Sequence, residues 1–413
     1  MRAIPSRPVR DACGVDANRV IADLRALDRL TGGPEGARRV CWTEPWERAR
    51  AFLRERLEEL PVAVDVDAAG NLWAELKGEG DAVVVVGSHL DSVPNGGWLD
   101  GALGVFAALE VLRAAGDRPP VTLRLVDWAD EEGRFGRSLF GSSAAAGTLD
   151  AAAVRDLRDR DGLRLEDGIG VDLARADEAQ ARLQDVRAYV ELHIEQGPVL
   201  ESRNEPAAAV LGTCGVERHV VVFTGQAAHA GATPMAMRRD SFAAAAQAAL
   251  GIREIGFEHG GVCTVGGATS EPGIPTAVAG RTAMLLDQRH LDPEKLAAML
   301  AAARDACRQA AADHGCEVEL QPTWSIPPVP FDERLIALAR DAVGKDIAIP
   351  SGPLHDASEL ARIVPTVMLF AKSSPPVSHT KEEDTPEADL RLAIEAYGRT
   401  VTSTMELVAV GEL

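Results

Sequence analysis

The chain has 413 residues, more than one ordinary hydrophobic core accommodates, so two or three domains are expected. A formal charge of -20 repels phosphate backbones and anionic lipid, which disfavours nucleic-acid and membrane partners. Six scattered cysteines without a CxxC pair, an N-terminus lacking an apolar core and no run near the roughly 18 apolar residues of a membrane span point to a reduced, soluble, cytoplasmic chain.

In chain order, "DANRVIADLRALDRL" from Asp16 reads as a capped amphipathic helix. "EPWERARAFLRERLEEL" repeats the pattern, with Trp46, Ala49, Leu53, Leu57 and Leu60 on one stripe. "VAVDVDAAGNLWAELKG" alternates about Gly70-Asn71, a hairpin signal. "AVVVVGSHL", "VFAALEVLRAAG" and "VTLRLVDWADEEG" then give strand, helix, strand. The first of these strands is apolar throughout, which implies a largely parallel sheet with helices on both faces. The charged stretch 150–187 offers no site, and "RAYVELHIEQGPVLE" follows as another strand ending in polar residues.

From 211 the order becomes strand, helix, strand, strand, helix, strand, the split βαβ arrangement. After Pro327-Pro328, "DERLIALARDAVG" and "TVMLF" resume the first pattern. The expected architecture is a discontinuous α/β catalytic domain, residues 1–210 and 326–413, with a mixed, mainly parallel sheet. It is interrupted by an inserted α+β lid at 211–325.

Ligands of open α/β sheets bind beyond the carboxyl ends of strands. Four such ends carry metal-type residues: His89 with Asp91 and Asp100, Glu131 with Glu132, His193, and His379. Imidazoles and carboxylates without thiolates suit an open, catalytic site for zinc, manganese, cobalt or nickel. A lone histidine or a pair of glutamates would signify little, since both are common on solvated surfaces. Four strand ends bearing the same class of residue carry the argument.

"GSHLDSVPNGGWLDGALGV", "DEEGRFG", "LHIEQGPVLE", "GQAAHAGATPM", "RRD", "LDQRH" and "SHTKEE" resemble the N-carbamoyl-L-amino acid amidohydrolases, in order from about residue 85 to 385. That branch includes the allantoate amidohydrolases and β-ureidopropionases, within the two-metal superfamily of aminoacylases and glutamate carboxypeptidases. The resemblance implies two divalent cations, one on His89, His193 and Asp100, the other on Asp100, Glu132 and His379. Asp100 would bridge them, Asp91 would take the other ring N–H of His89, and Glu131 would be the general base. It further implies a cis Asp100-Gly101 peptide and an oxyanion donor in His229, often supplied by a partner subunit, hence a homodimer through the lid. Arg289 would grip an anionic substrate's carboxylate, and Gln196 its carbamoyl or ureido group.

Two departures bear on recognition. "PGIPTAVAG" puts Thr276 where the family has a substrate-contacting asparagine, and "SGPLHDASEL" keeps His355 and Asp356 but has Pro353-Leu354 where small residues are usual. The expected reaction is release of the carbamoyl group of an N-carbamoyl-L-amino acid. Allantoate or β-ureidopropionate hydrolysis, deacylase or dipeptidase action, and a non-catalytic metal-binding protein are the alternatives.

Overall fold

The computed structural model describes residues 14–413; Cys13 lies outside them, and the other five cysteines are free thiols. The chain divides into two compact units, one made of the residues up to Leu211 together with Phe331–Leu413, the other of Gly212–Pro330.

The first unit is built on a mixed α/β sheet. Its centre is four parallel strands in the order Thr366–Ala371, Val186–Ile194, Gly80–His89 and Val121–Trp128. Val83 to Val86 and all eight residues of Val121–Trp128 are buried, as strands covered on both faces must be. Leu72–Leu76 and Ala63–Val66 extend one side as the antiparallel hairpin that Gly70-Asn71 signals. The Asp67 carboxylate ties that turn by accepting from the main-chain N–H groups of Ala69 and Asn71, from Asn71 Nδ2 and from Trp73 Nε1. Ala207–Thr213 extends the other side, antiparallel to Thr366–Ala371.

Helices Ala102–Ala114 and Glu387–Ala409 pack on this sheet. Helix Ala17–Thr31 starts where the Asp16 side chain accepts from the N–H groups of Asn18 and Arg19, and it buries Val20, Ile21, Leu24 and Leu27. Helix Glu44–Leu57 buries Trp46, Ala49, Leu53 and Leu57; it ends before Leu60, which packs against the core from the turn beyond.

The second unit is a four-stranded antiparallel sheet in the order Val262–Glu271, Arg281–His290, Gly215–Thr224, Glu317–Ile326. Helices Ser241–His259 and Pro293–Asp313 bury Ala244, Ala248, Ile252, Met299, Ala303 and Cys307 against Val221, Phe223, Met284 and Leu286. Asp240 and Asp292 cap these helices through their carboxylates.

Candidate metal centre and active site

Because the four central strands are parallel, their carboxyl ends share one edge. His89 ends Gly80–His89, Glu131 and Glu132 follow Val121–Trp128, His193 lies at the end of Val186–Ile194, and His379 is in the loop after Thr366–Ala371. Asp100 precedes helix Ala102–Ala114. Between them Gly101 turns with φ +64°, and a Cβ there would stand 2.4 Å from the His89 ring, so only glycine lets the two ligands approach.

Asp100 stands between two groups of side chains. Its Oδ1 is 3.1 Å from His193 Nε2 and 3.6 Å from His89 Nε2. Its Oδ2 is 3.5 Å from His379 Nε2, which is 3.4 Å from Glu132 Oε2. Candidate ligand atoms of His89, Asp100 and His193 lie within 4.8 Å of one another, and so do those of Asp100, Glu132 and His379. Glu191, His193 and His355 form a third such set, in which the Glu191 carboxylate already accepts from Ser88 Oγ, Tyr189 Oη and the Ala357 N–H.

The donor chemistry of the first two sets fits divalent cations. His89 Nδ1 donates to the Asp91 carbonyl at 3.1 Å and His193 Nδ1 to the Ile194 carbonyl at 2.9 Å, which leaves each Nε2 as a lone pair. Both Nε2 atoms are buried and turned toward Asp100 Oδ1, and among the described residues no donor or acceptor is near them other than the acids of the site. Charge points the same way. Burial pushes the Glu131 and Glu132 carboxyls well above their usual range, His89 opposing in part, and neighbouring acids add to the rise. Burial also resists ionisation of Asp100, but His193, His89 and His379 outweigh it and hold that carboxyl below the ordinary range. Carboxylates converging on imidazole nitrogens are the donor set that a divalent cation takes.

Several expectations need correction. The described cis peptides are Glu271-Pro272 and Ser374-Pro375; Asp100-Gly101 is trans, the sharp turn being made by the positive φ of Gly101. The Asp91 carboxylate is 3.6 Å from His89 Nδ1, farther than its own carbonyl. Its oxygens also accept the main-chain N–H groups of Glu131 (3.3 Å) and Glu132 (3.1 Å), so Asp91 holds the two glutamates as well as lying beside the imidazole. His355, expected at the substrate, is buried between the rings of His193 and Phe370 with Nε2 3.0 Å from Ser351 Oγ. Burial and the nearby His193 push its pKa well down, and its ring packs against that of His193. Gln196 Nε2 lies 2.9 Å from Asp100 Oδ2, while its buried Oε1 has no partner.

Three residues that sequence reasoning passed over surround Asp100. Glu383 and Ser378 approach it directly, and Arg39 is fully buried behind it. Burial, reinforced by Asp100, pushes the Glu383 carboxyl up to about 7. The "SHTKEED" segment that carries His379 contains both Ser378 and Glu383, but nothing in its spacing separates Glu383 from the solvated Glu382 beside it.

In the second unit His229 is exposed, and its Nδ1 accepts from the N–H groups of Gly231 (3.1 Å) and Ala232 (3.2 Å). The ring proton of neutral His229 is thereby placed on Nε2 as an outward donor. His229 pairs with Ala277, and the exposed Thr276 accepts the Ala230 N–H through its carbonyl, so both residues belong to one small structure. Arg289 is held side-on by Asp287, Nε to Oδ1 at 2.8 Å.

Residues 85–403 match the model of peptidase family M20/M25/M40. The chain is 36% identical over 403 residues to an N-carbamoyl-L-amino acid amidohydrolase of Geobacillus stearothermophilus, covering 94% of this chain and 98% of that protein. It is 32% identical to an allantoate amidohydrolase of Bacillus subtilis, covering 87% and 91%. A solved hydantoinase/carbamoylase family amidase of Burkholderia multivorans superposes with a TM-score of 0.84 at 32% identity, over 94% of this chain and 98% of that one. With the fold, the edge of ligand-type residues and these likenesses together, the chain belongs to peptidase family M20/M25/M40, as a hydrolase of the carbamoylase and allantoate amidohydrolase type that acts on non-peptide C–N bonds.

Proposed function

We propose that the chain hydrolyses the carbamoyl C–N bond of N-carbamoyl-L-amino acids, consuming water and releasing amino acid, carbon dioxide and ammonia. The observation that carries this reading is the pair of ligand sets meeting at Asp100, with Glu131 Oε2 3.7 Å from His89 Nε2 beside them. One divalent cation would be held by His89, His193 and Asp100 and another by Asp100, Glu132 and His379, with zinc, manganese, cobalt and nickel all compatible with these donors. Bound there, the cations would supply Lewis acidity for the scissile carbonyl and make the attacking water more acidic.

The protein groups supply the rest. Glu131 takes a proton from the attacking water and returns it to the leaving nitrogen. His229 donates its Nε2–H to the developing oxyanion, which its fixed tautomer suits. Arg289 pairs with the substrate carboxylate, so that a strongly acidic protein still receives an anion, and Gln196 and Thr276 meet the ureido end. The exposed apolar residues Phe242, Leu250 and Phe257 of helix Ser241–His259, next to the sheet-edge strand Val262–Glu271, support a homodimer joined through the second unit.

Allantoate hydrolysis is the second reading, favoured by the Bacillus subtilis relative and by Thr276, whose short hydroxyl leaves more room than a carboxamide. The two are separated by ammonia release from N-carbamoyl-L-amino acids, allantoate, β-ureidopropionate and N-acyl amino acids, with protein loaded in turn with Zn, Mn, Co or Ni. The proposal expects the N-carbamoyl substrates to have the highest kcat/KM. Preferred turnover of allantoate would replace it with the second reading, and no turnover of any of these compounds would contradict both.

A further inference from the structure

The carboxylate common to both ligand sets is itself gripped by residues outside them. Glu383, only 2% exposed, accepts the main-chain N–H groups of Leu99 (3.2 Å) and Asp100 (3.0 Å) on Oε1. Its Oε2 is 2.7 Å from the Ser378 hydroxyl, which is also 3.0 Å from Asp100 Oδ2. Glu383 thus holds the backbone of Asp100 directly, and the single proton of the Ser378 hydroxyl lies between Glu383 and the Asp100 side chain.

The grip is one-sided. Ser378 meets Oδ2, the oxygen that faces His379, whereas Oδ1 faces His193 and His89. Space for the grip is reserved: a Cβ on Gly97 would lie 2.1 Å from Glu383 Oε1 and 2.5 Å from its Cβ. Gly97 has no positive φ, and the nearest atoms to an added Cβ are all those of Glu383. The Glu383 loop is anchored on either side, by Trp98 Nε1 donating to Asp384 Oδ1 at 3.1 Å and by the Thr385 hydroxyl donating to the Lys372 carbonyl at 2.5 Å. Behind it Arg39 donates Nε to the Leu90 carbonyl at 2.8 Å, and its two terminal nitrogens are buried without hydrogen-bond partners.

We propose that Glu383, together with Ser378, is a positioning residue that fixes the Oδ2 arm of Asp100 and so sets how tightly the Asp100–Glu132–His379 set holds its cation. The inference rests on the two-cation reading above. A carboxylate free to turn about its Cβ–Cγ bond must be ordered when a cation binds, whereas one already restrained at the backbone and at one oxygen is not.

The test is Zn²⁺ binding by the full-length protein, dialysed against graded Zn²⁺ buffers, with bound zinc counted and thermal unfolding followed in parallel. Wild type is expected to bind two ions. Glu383→Gln, which keeps an acceptor for the two N–H groups, and Ser378→Ala should bind one ion normally and the other about 10- to 100-fold more weakly, the usual effect of losing a ligand's supporting partner. Ser378→Thr, which restores the hydroxyl, should recover wild-type binding, and Gly97→Ala should reproduce the Glu383→Gln profile. Wild-type affinity at both sites in Glu383→Gln and Ser378→Ala would overturn the inference, as would equal weakening of both sites accompanied by a fall in Tm, the mark of a merely structural role. Failure of the wild type itself to bind two ions would instead overturn the two-cation reading and the inference with it.

Discussion

Glu131 and Glu132 are neighbours with one shared support, since the Asp91 carboxylate accepts both of their main-chain N–H groups. Their side chains then diverge, Oε2 of Glu131 toward His89 and Oε2 of Glu132 toward His379. Glu131→Gln should therefore retain bound metal while kcat falls by roughly 10² to 10⁴, the range for losing a general base. Metal content and steady-state kinetics on one preparation check this, and near-normal kcat would remove Glu131 from that role. Arg289→Ala should raise KM for N-carbamoyl amino acids far more than for the corresponding carboxamides, which lack the anion; an equal effect on both would count against carboxylate binding. At this scale the sequence is informative about residue type and poor about partners. The histidines and acids at four strand ends are legible because a strand end is a local feature. Glu383 is not, because its contact with Asp100 spans 283 residues.

Elements reach the site through a few buried links. Arg50, on helix Glu44–Leu57, donates Nε to Asp127 Oδ2 at 2.7 Å and NH1 to the Gly70 carbonyl, while Asp127 Oδ1 accepts the Leu90 N–H at 2.7 Å. One buried ion pair thus ties a covering helix to the ends of two central strands. Arg50→Ala should destabilise the protein by about 3–5 kcal/mol, since Asp127 would be left as an uncompensated buried charge. Urea denaturation measures this, and a loss below 1 kcal/mol would show that the link is dispensable. Gly101→Ala should be both destabilising and metal-poor, because the substitution forces a left-handed φ and drives a methyl group into His89. A variant with wild-type Tm and metal content would refute that steric account. Strands, hairpin and caps are legible from apolar runs, Gly70-Asn71 and Asp16, all local signals. The backbone at Asp100-Gly101 is not: a tight turn can be made by a cis peptide or by a glycine with positive φ, and the residues alone do not choose between them.

For the whole molecule, the order of elements in the sequence is enough to describe a mixed sheet interrupted by a split βαβ insertion, because each element announces its own period. What caps the exposed apolar face of helix Ser241–His259 is not written in any one segment, since surface residues have no periodic signature of their partner. If two copies meet there, Phe242→Glu with Leu250→Glu should convert a dimer to a monomer in sedimentation velocity, and a wild-type monomer would dismiss the dimer altogether. Two cations sharing Asp100 are central to the proposed chemistry. Crystals of the Zn²⁺-loaded protein, with anomalous difference maps recorded across the zinc edge, test it most directly. Two peaks about 3.5 to 4 Å apart with one Asp100 oxygen toward each are the predicted result; a single peak, or none, with Asp100 bonded only to protein would contradict it.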